Sequence, residues 1–391
     1  MSEAECTCYH MGHGAMYCVT VYEDSKKKFI KKRFLIDAGS NQDCSIDGNR
    51  FADTNVDKII DIIDASSDEE WIFCLTHLHK DHYSAFQTIS ERVSDIERKV
   101  QIFFIGSLTE DEWQNITEAA LKSFDEYTAG KQALQNMLDK FGDKVIFLNH
   151  RTEAIDLWSD GNVSLYLLFN CMFNLDTLED AKQTLNSNCA SFLVKQKSHQ
   201  SAFWFTGDVT GETLDNIVRG HKKTMNKMKA ILKDCIDVVI TPPHHGSIHS
   251  LMMKGFAQVK IDKKSEDWSS TNWVDFCDKI GLIRSGSGLI CRLAWSSCLY
   301  DKYQHPDGVA LAIYSDVCRM AQSNYEWAVY RTYSSEPPNL FHESFRVEDY
   351  SSETKIDYNN WWLQNLKRQI YTTLQFLPTK KIDTRNLEYG F

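Results

Sequence analysis

The segment His77-Leu78-His79-Lys80-Asp81-His82 places three imidazoles and one carboxylate within six residues, directly after the apolar run 71–75. Neutral imidazole and carboxylate are good ligands for zinc, manganese or iron. In an extended stretch alternate side chains share a face, so His77 and His79 would point the same way. Asp81 and His82, just beyond, can turn toward a neighbouring point. One short loop could therefore feed two divalent ions, with the preceding run as the rigid strand that holds it. Two such ions about 3.5–4 Å apart lower the pKa of a shared water, orient it for in-line attack and neutralise charge on the leaving group. The chemistry implied is hydrolysis.

A loop of this kind needs a frame. Runs of strand character occur at 34–37, 71–75, 101–105 and 145–148, and again at 163–169, 190–194, 203–205, 236–240, 288–294 and 328–330. Between them, apolar residues recurring at three and four predict helices over 54–65, 110–141, 211–233 and 361–377. Strands and helices alternate through the chain, which favours a layered α/β architecture with sheets covered by helices.

Composition narrows the class. The chain has 391 residues, 42% of them apolar, enough for a substantial core. Six Pro and 18 Gly without period exclude a collagen-like or low-complexity organisation, and there is no internal repeat. No apolar run is long enough for a membrane span, and the N-terminus lacks a basic region followed by an apolar stretch, so a cytoplasmic protein is expected. The 12 cysteines then read as reduced thiols, with Cys74, Cys189, Cys235 and Cys291 inside apolar runs as small buried hydrophobes. Cys6-Thr7-Cys8 has a spacing that could bind metal but lacks a second pair. A net charge of -11 disfavours tight nonspecific adhesion to nucleic acid without excluding a nucleic-acid substrate, because bound metal ions can hold phosphate on an acidic protein.

The pattern His77-x-His79-x-Asp81-His82 after an apolar strand resembles the signature of the metallo-β-lactamase-fold hydrolases, and further matches follow in order. Asp37-Ala38-Gly39 resembles that fold's strand-end Asp-x-Gly, and Thr206-Gly207-Asp208 resembles the strand end carrying the metal-bridging aspartate. Pro243-His244-His245-Gly246-Ser247 resembles the late histidine motif. Over roughly residues 8–335 the chain is similar to the hydrolase domain of the ComEC-type competence proteins. That similarity runs through Asn188-Cys189-Ala190-Ser191, through His244 to Ser250, and through Tyr303-Gln304-His305-Pro306. Tyr9-His10-Met11-Gly12-His13-Gly14 stands where that group has its first strand and turn.

The resemblance implies an αββα sandwich with a helical insertion at about 108–143, forming a hydrolase domain over 1–335, followed by a C-terminal helical extension over 336–391. It implies that His77 and His79 hold one metal ion, that Asp81, His82 and one of His244 or His245 hold the other, and that Asp208 bridges them. Asp37 would orient a ligand histidine. His305 would contact the scissile phosphate or protonate the leaving oxygen, Ser247 and Ser250 would donate to phosphate oxygens, and Arg331 is a further candidate. The implied cofactors are two divalent ions, zinc or manganese, and Asp81, Asp208 and His305 form the catalytic group.

Departures from the family pattern are specific. The usual third histidine of the first site is missing: the stretch before the 196–200 turn offers Asn186 and Asn188, and His199 falls in the turn itself. Asn188 or water would complete that site. His82 is followed by Tyr83-Ser84-Ala85 where many relatives carry glycines. The insertion would shape the substrate cleft or serve as a packing or dimerisation element, consistent with a homo-oligomer. No stretch matches the competence proteins' membrane channel, so DNA uptake is not implied. The leading expectation is phosphodiester hydrolysis of a nucleic acid or cyclic nucleotide. The alternatives are hydrolysis of carboxylic esters or lactones and metal sensing without turnover.

Overall fold

The computed structural model describes residues 1–9, 11, 13–40, 45–46, 49–118, 130–149, 154–170, 184–247, 272–283, 289–295, 329–331 and 341–344. In chain order its first half contains β1 (Glu3–Cys8), β2 (Met16–Tyr22), β3 (Ile30–Ala38), the two-residue strands β4 (Ser45–Ile46) and β5 (Asn49–Arg50), α1 (Phe51–Asp64), β6 (Trp71–Leu75) and α2 (Lys80–Arg92). There follow α3 (Ile96–Lys99), β7 (Val100–Ile105), α4 (Glu110–Asn115), α5 (Lys131–Asp139) and β8 (Val145–Phe147). The second half contains β9 (Ile155–Ser159), β10 (Val163–Phe169), α6 (Thr184–Ser187), β11 (Ser191–Gln196), β12 (Ser201–Phe205), α7 (Gly211–Gly220) and α8 (Lys222–Leu232). It ends with β13 (Asp237–Ile240), α9 (Asn272–Lys279), β14 (Ile290–Trp295), β15 (Val329–Arg331) and β16 (Phe341–Ser344).

Among the described residues the strands form the small pair β4-β5 and two seven-stranded mixed sheets, ordered β16-β1-β2-β3-β6-β7-β8 and β15-β14-β13-β12-β11-β10-β9. In each, an antiparallel meander passes into a parallel run: β3, β6, β7 and β8 in the first, β12 to β15 in the second. The central parallel strands β6, β12 and β13 are buried along their whole length, as strands covered on both sides must be.

Residue alternation sorts each strand between two cores. In β6, Trp71, Phe73 and Leu75 pack toward α1 to α5, while Ile72 and Cys74 face the other sheet. In β12, Ala202 and Trp204 pack toward α7 to α9, while Phe203 and Phe205 face the first sheet. Three cores therefore separate four layers, and the αββα sandwich expected from the sequence is the architecture observed. Trp204 stacks on Trp273 of α9 with centroids 5.6 Å apart, so the helical layer is anchored by large aromatic burial, worth roughly 1.5–3 kcal/mol per side chain.

Local signals set the helix starts. Thr109 forms a capping box with Glu112 at the head of α4, and Thr210 accepts from the Thr213 amide at the head of α7. The helix expected over 211–233 is two helices, broken at His221 with φ -119° and ψ 62°, just after Gly220. The first strand, expected with its turn at 9–14, is β1 at Glu3–Cys8, and β2 and β9 are additional to the expected strands. Cys6 and Cys8, two apart in β1, are both buried in the core between the sheets, which accounts for their spacing without a metal. Of the segment 336–391, expected as a helical extension, Phe341–Ser344 forms β16, antiparallel to β1; the rest of it, including 361–377, lies outside the described residues. No described helix is long and apolar enough to cross a membrane.

Candidate metal centre

The parallel strands of both sheets deliver their C-terminal ends to one place, the position at which open α/β sheets bind ligands. Asp37 stands at the end of β3, Thr76 to His79 follow β6, Asp208 follows β12, and His244 and His245 follow β13. The motif straddles a strand-to-helix junction: His79 is the N-cap of α2, with Asp81 and His82 in its first turn, where a carboxylate is favoured by the helix dipole. The ends of β12 and β13 are pinned together. The Thr206 amide donates to Thr241 Oγ1 at 3.0 Å, Thr206 Oγ1 donates to Thr241 O at 2.6 Å, and the His244 amide donates to Gly207 O at 3.0 Å. The Ala190 amide donates to Thr76 O at 2.9 Å and ties β11 to the motif loop across the sandwich.

These side chains form two buried groups that could each hold a metal ion: Asp81, His82, Asp208 and His245 in one, and His77, His79 and Asp208 in the other. Asp208 belongs to both. Its Oδ1 lies 3.1 Å from His82 Nε2, and its Oδ2 lies 3.7 Å from His77 Nε2 and 3.6 Å from His244 Nε2. His245 Nε2 lies 3.3 Å from Asp81 Oδ2, and His79 Nδ1 lies 3.1 Å from His77 Nε2. Of the two adjacent histidines, whose ligand role the sequence left open, His245 joins a donor set. His244 keeps a side chain 26% exposed, at the rim.

Asp37 organises both groups from behind. It accepts the Thr76 amide at 2.8 Å, the Thr76 hydroxyl at 2.9 Å and His82 Nδ1 at 2.8 Å. With its hydrogen given to Asp37, Thr76 Oγ1 is left as an acceptor for His77 Nδ1, 3.0 Å away. Both imidazoles therefore carry their proton on Nδ1 and present Nε2 to Asp208. In the metal-free chain a second proton on His82 bridges Nε2 to Asp208 Oδ1 at 3.1 Å; a divalent ion bound between the same two atoms would replace that proton, and the imidazole and carboxylate donors fit such an ion. Thr76 is the member that the sequence reading missed; its position, next to His77 at a strand end, is the only signal it carries there.

Left-handed backbone recurs here, as it also does at Lys27, Glu69, Ser107 and Gln200. Asp37, His244 and His245 have φ of 52°, 50° and 51°, in the left-handed region that non-glycine residues rarely occupy. Gly207, at φ 58°, could not carry a side chain: a Cβ would lie 2.3 Å from Cys189 Sγ and 2.9 Å from Thr76 Cβ. Cys189 is buried as expected, but it lies against the site, its Sγ 3.3 Å from the Asp208 amide.

Asn188 is fully buried beside Cys189, and Ser247 is fully buried with its amide donating to His244 O at 2.7 Å. His199 lies in the 197–200 turn, its Nε2 3.7 Å from Glu3. Arg331 closes β15, while His305 and Ser250 lie outside the described residues.

Asp37→Asn keeps the size of the side chain but replaces one acceptor oxygen with a donor facing Thr76 or His82. Metal affinity is expected to fall about 10- to 100-fold, read by calorimetric titration; unchanged affinity would remove Asp37 from the site. The protonation states make a separate expectation. Burial holds His77 well below the ordinary histidine value of 6.5 and lowers His244 to about 4. Both stay neutral in the folded chain where an unfolded chain takes up protons, so the metal-free protein loses stability as pH falls below 6.5. Burial alone would lower His82 too, but the flanking Asp208 and Asp37 carboxylates raise it well above 6.5. Its contribution is complete below 6.5 and is lost as pH rises through the higher folded value. Thermal melts in chelator should therefore show maximal stability near pH 6.5; stability that keeps rising into alkaline pH contradicts these assignments.

No protein-family model matches the sequence, and no curated protein is similar to it in sequence. Solved structures similar to the chain include unliganded yeast PDE1, with a TM-score of 0.47 and 10% identity, covering 85% of this chain and 98% of that one. A second is the metallo-β-lactamase-fold protein YhfI from Bacillus subtilis, with a TM-score of 0.36 and 9% identity over 86% of this chain and 99% of that one. A third is a motif mutant of a metallo-β-lactamase from Cronobacter sakazakii, with a TM-score of 0.30 and 10% identity over 57% of this chain and 74% of that one. The chemistry of the site accordingly rests on its own residues.

Proposed function

We propose that the protein is a metal-dependent hydrolase of phosphodiesters. The observation that carries this reading is the pair of buried donor sets joined by one carboxylate, Asp208. In this reading His77 and His79 hold one ion, Asp81, His82 and His245 hold the other, and Asp208 bridges them; zinc and manganese suit such imidazole and carboxylate donors. When bound, two divalent ions would lower the pKa of a water for attack and neutralise charge on a departing oxygen.

The chain's own groups prepare that chemistry. Asp37 fixes the orientation of His82 and, through Thr76, of His77. Burial of every member of the two donor sets keeps bulk water from the carboxylates, where electrostatic interactions are stronger than in solution. His244, partly exposed beside Asp208 and held neutral, is the imidazole placed to meet substrate. Similarity of the sequence motifs to the hydrolase domain of ComEC-type competence proteins supports a phosphodiester over an acyl ester, and His305 and Ser250 would act on the phosphate from segments outside the described residues.

The test is hydrolysis of bis(p-nitrophenyl) phosphate and of p-nitrophenyl acetate by the full-length protein with added manganese or zinc. Turnover of the phosphodiester well above that of the acetate is expected. The reverse order selects an acyl-ester hydrolase, and bound metal without turnover of either selects a sensor.

A further inference from the structure

The turn between β1 and β2 brings an additional histidine to the second donor set. His13 is 4% exposed, and its Nε2 lies 3.1 Å from Asp81 Oδ2, the same oxygen that faces His245 Nε2 at 3.3 Å. The rings of His13 and His245 are 4.9 Å apart. His13 is not itself one of the donors gathered within 4.8 Å of one another; it approaches Asp81 from outside that group.

The approach is rigid. The Ala15 amide donates to Asp81 O at 3.0 Å, the Gly39 amide donates to Ala15 O at 3.0 Å, and Ser40 Oγ donates to Met11 O at 2.6 Å. Three segments meet backbone to backbone: a Cβ on Gly14 would lie 2.1 Å from Gly39 O, and a Cβ on Gly39 would lie 2.5 Å from Asp81 C and His82 N. The turn therefore cannot shift without moving the α2 N-terminus that carries Asp81 and His82.

A carboxylate ligand has two equivalent oxygens and a broad terminal torsion, so an N–H held outside the donor set decides which way it faces. A carboxylate only accepts, which makes His13 Nε2 the donor. We propose that His13 is a positioning residue, whose Nε2–H holds Asp81 Oδ2 so that the carboxylate faces His82, His245 and Asp208. This rests on the metal-centre reading above. It assigns to the β1–β2 turn, far from the motif in sequence, control of one of the two ions and not the other.

The test is a Co²⁺ titration of the metal-stripped, full-length protein, followed by calorimetry and visible absorption. Wild type is expected to take up two ions. His13→Ala should keep one ion at wild-type affinity and bind the second about 10- to 100-fold more weakly, with loss of its absorption band. His13→Gln, which keeps an N–H at similar reach, should recover the second ion. The inference is overturned if His13→Ala binds both ions as wild type does, if both ions weaken equally, or if folded His13→Gln binds as poorly as the alanine variant. Absence of Co²⁺ binding in wild type would instead overturn the metal centre itself, and His13 with it.

Discussion

Asp208→Ala is expected to lose both metal ions and to lower phosphodiester turnover about 10³-fold or more. Metal assistance carries several kcal/mol of the barrier, and about 4 kcal/mol corresponds to roughly 10³ in rate. Among the described residues no other belongs to both donor sets, so substitution of any other ligand should weaken one ion more than its neighbour. Burial pushes the Asp208 carboxyl up, but His244, His82, His245 and His77 around it hold it well below the usual carboxylate range. It is therefore a buried negative charge in a ring of imidazoles. Asp208→Asn keeps its shape and removes that charge, and should fail alongside the alanine variant. Measuring kcat/KM with circular dichroism on the same samples separates lost chemistry from lost fold. A folded Asp208→Asn with wild-type turnover would contradict the bridging role.

Chelation should have the second-largest effect, and it should be reversible. An ion that binds only the folded chain stabilises it by about 2.7 kcal/mol when present at 100 times its Kd. Removing two ions should lower the melting temperature of wild type and abolish turnover, with both restored by added manganese or zinc. Asp208→Ala should melt at the same temperature with and without chelator. A wild-type melting temperature indifferent to chelator and metal alike would mean that the two groups hold no ion in the folded protein.

The elements legible in the sequence were those whose signal is local. His77, His79, Asp81 and His82 are contiguous and follow a strand of five buried residues, so type, spacing and support were all readable within twelve positions. Asp208 and the His244-His245 pair, each beside a glycine after a strand, carry weak local signals and are assigned through the order and spacing of the motifs that resemble the metallo-β-lactamase-fold hydrolases. Choosing between His244 and His245 was not possible from sequence, because both adopt left-handed backbone inside one tight turn and only the resulting direction of each ring separates them. His13 gave no signal as a ligand partner: it is a single histidine in a turn, brought to Asp81 by backbone contacts among Gly14, Gly39 and the α2 N-terminus. β1 alternates Glu3, Glu5 and Thr7 with Ala4, Cys6 and Cys8, a strand pattern whose apolar face is made of small residues and so carries little hydrophobic signal. The break at His221 went unseen because apolar spacing continues across it.

The central claim, a two-ion phosphodiester hydrolase, is tested most directly by titrating metal-stripped, full-length protein with Mn²⁺ while following bis(p-nitrophenyl) phosphate hydrolysis. Turnover is predicted to rise until two ions are bound per chain and then to level off. Two ions bound without hydrolysis, or full turnover with one, would contradict it.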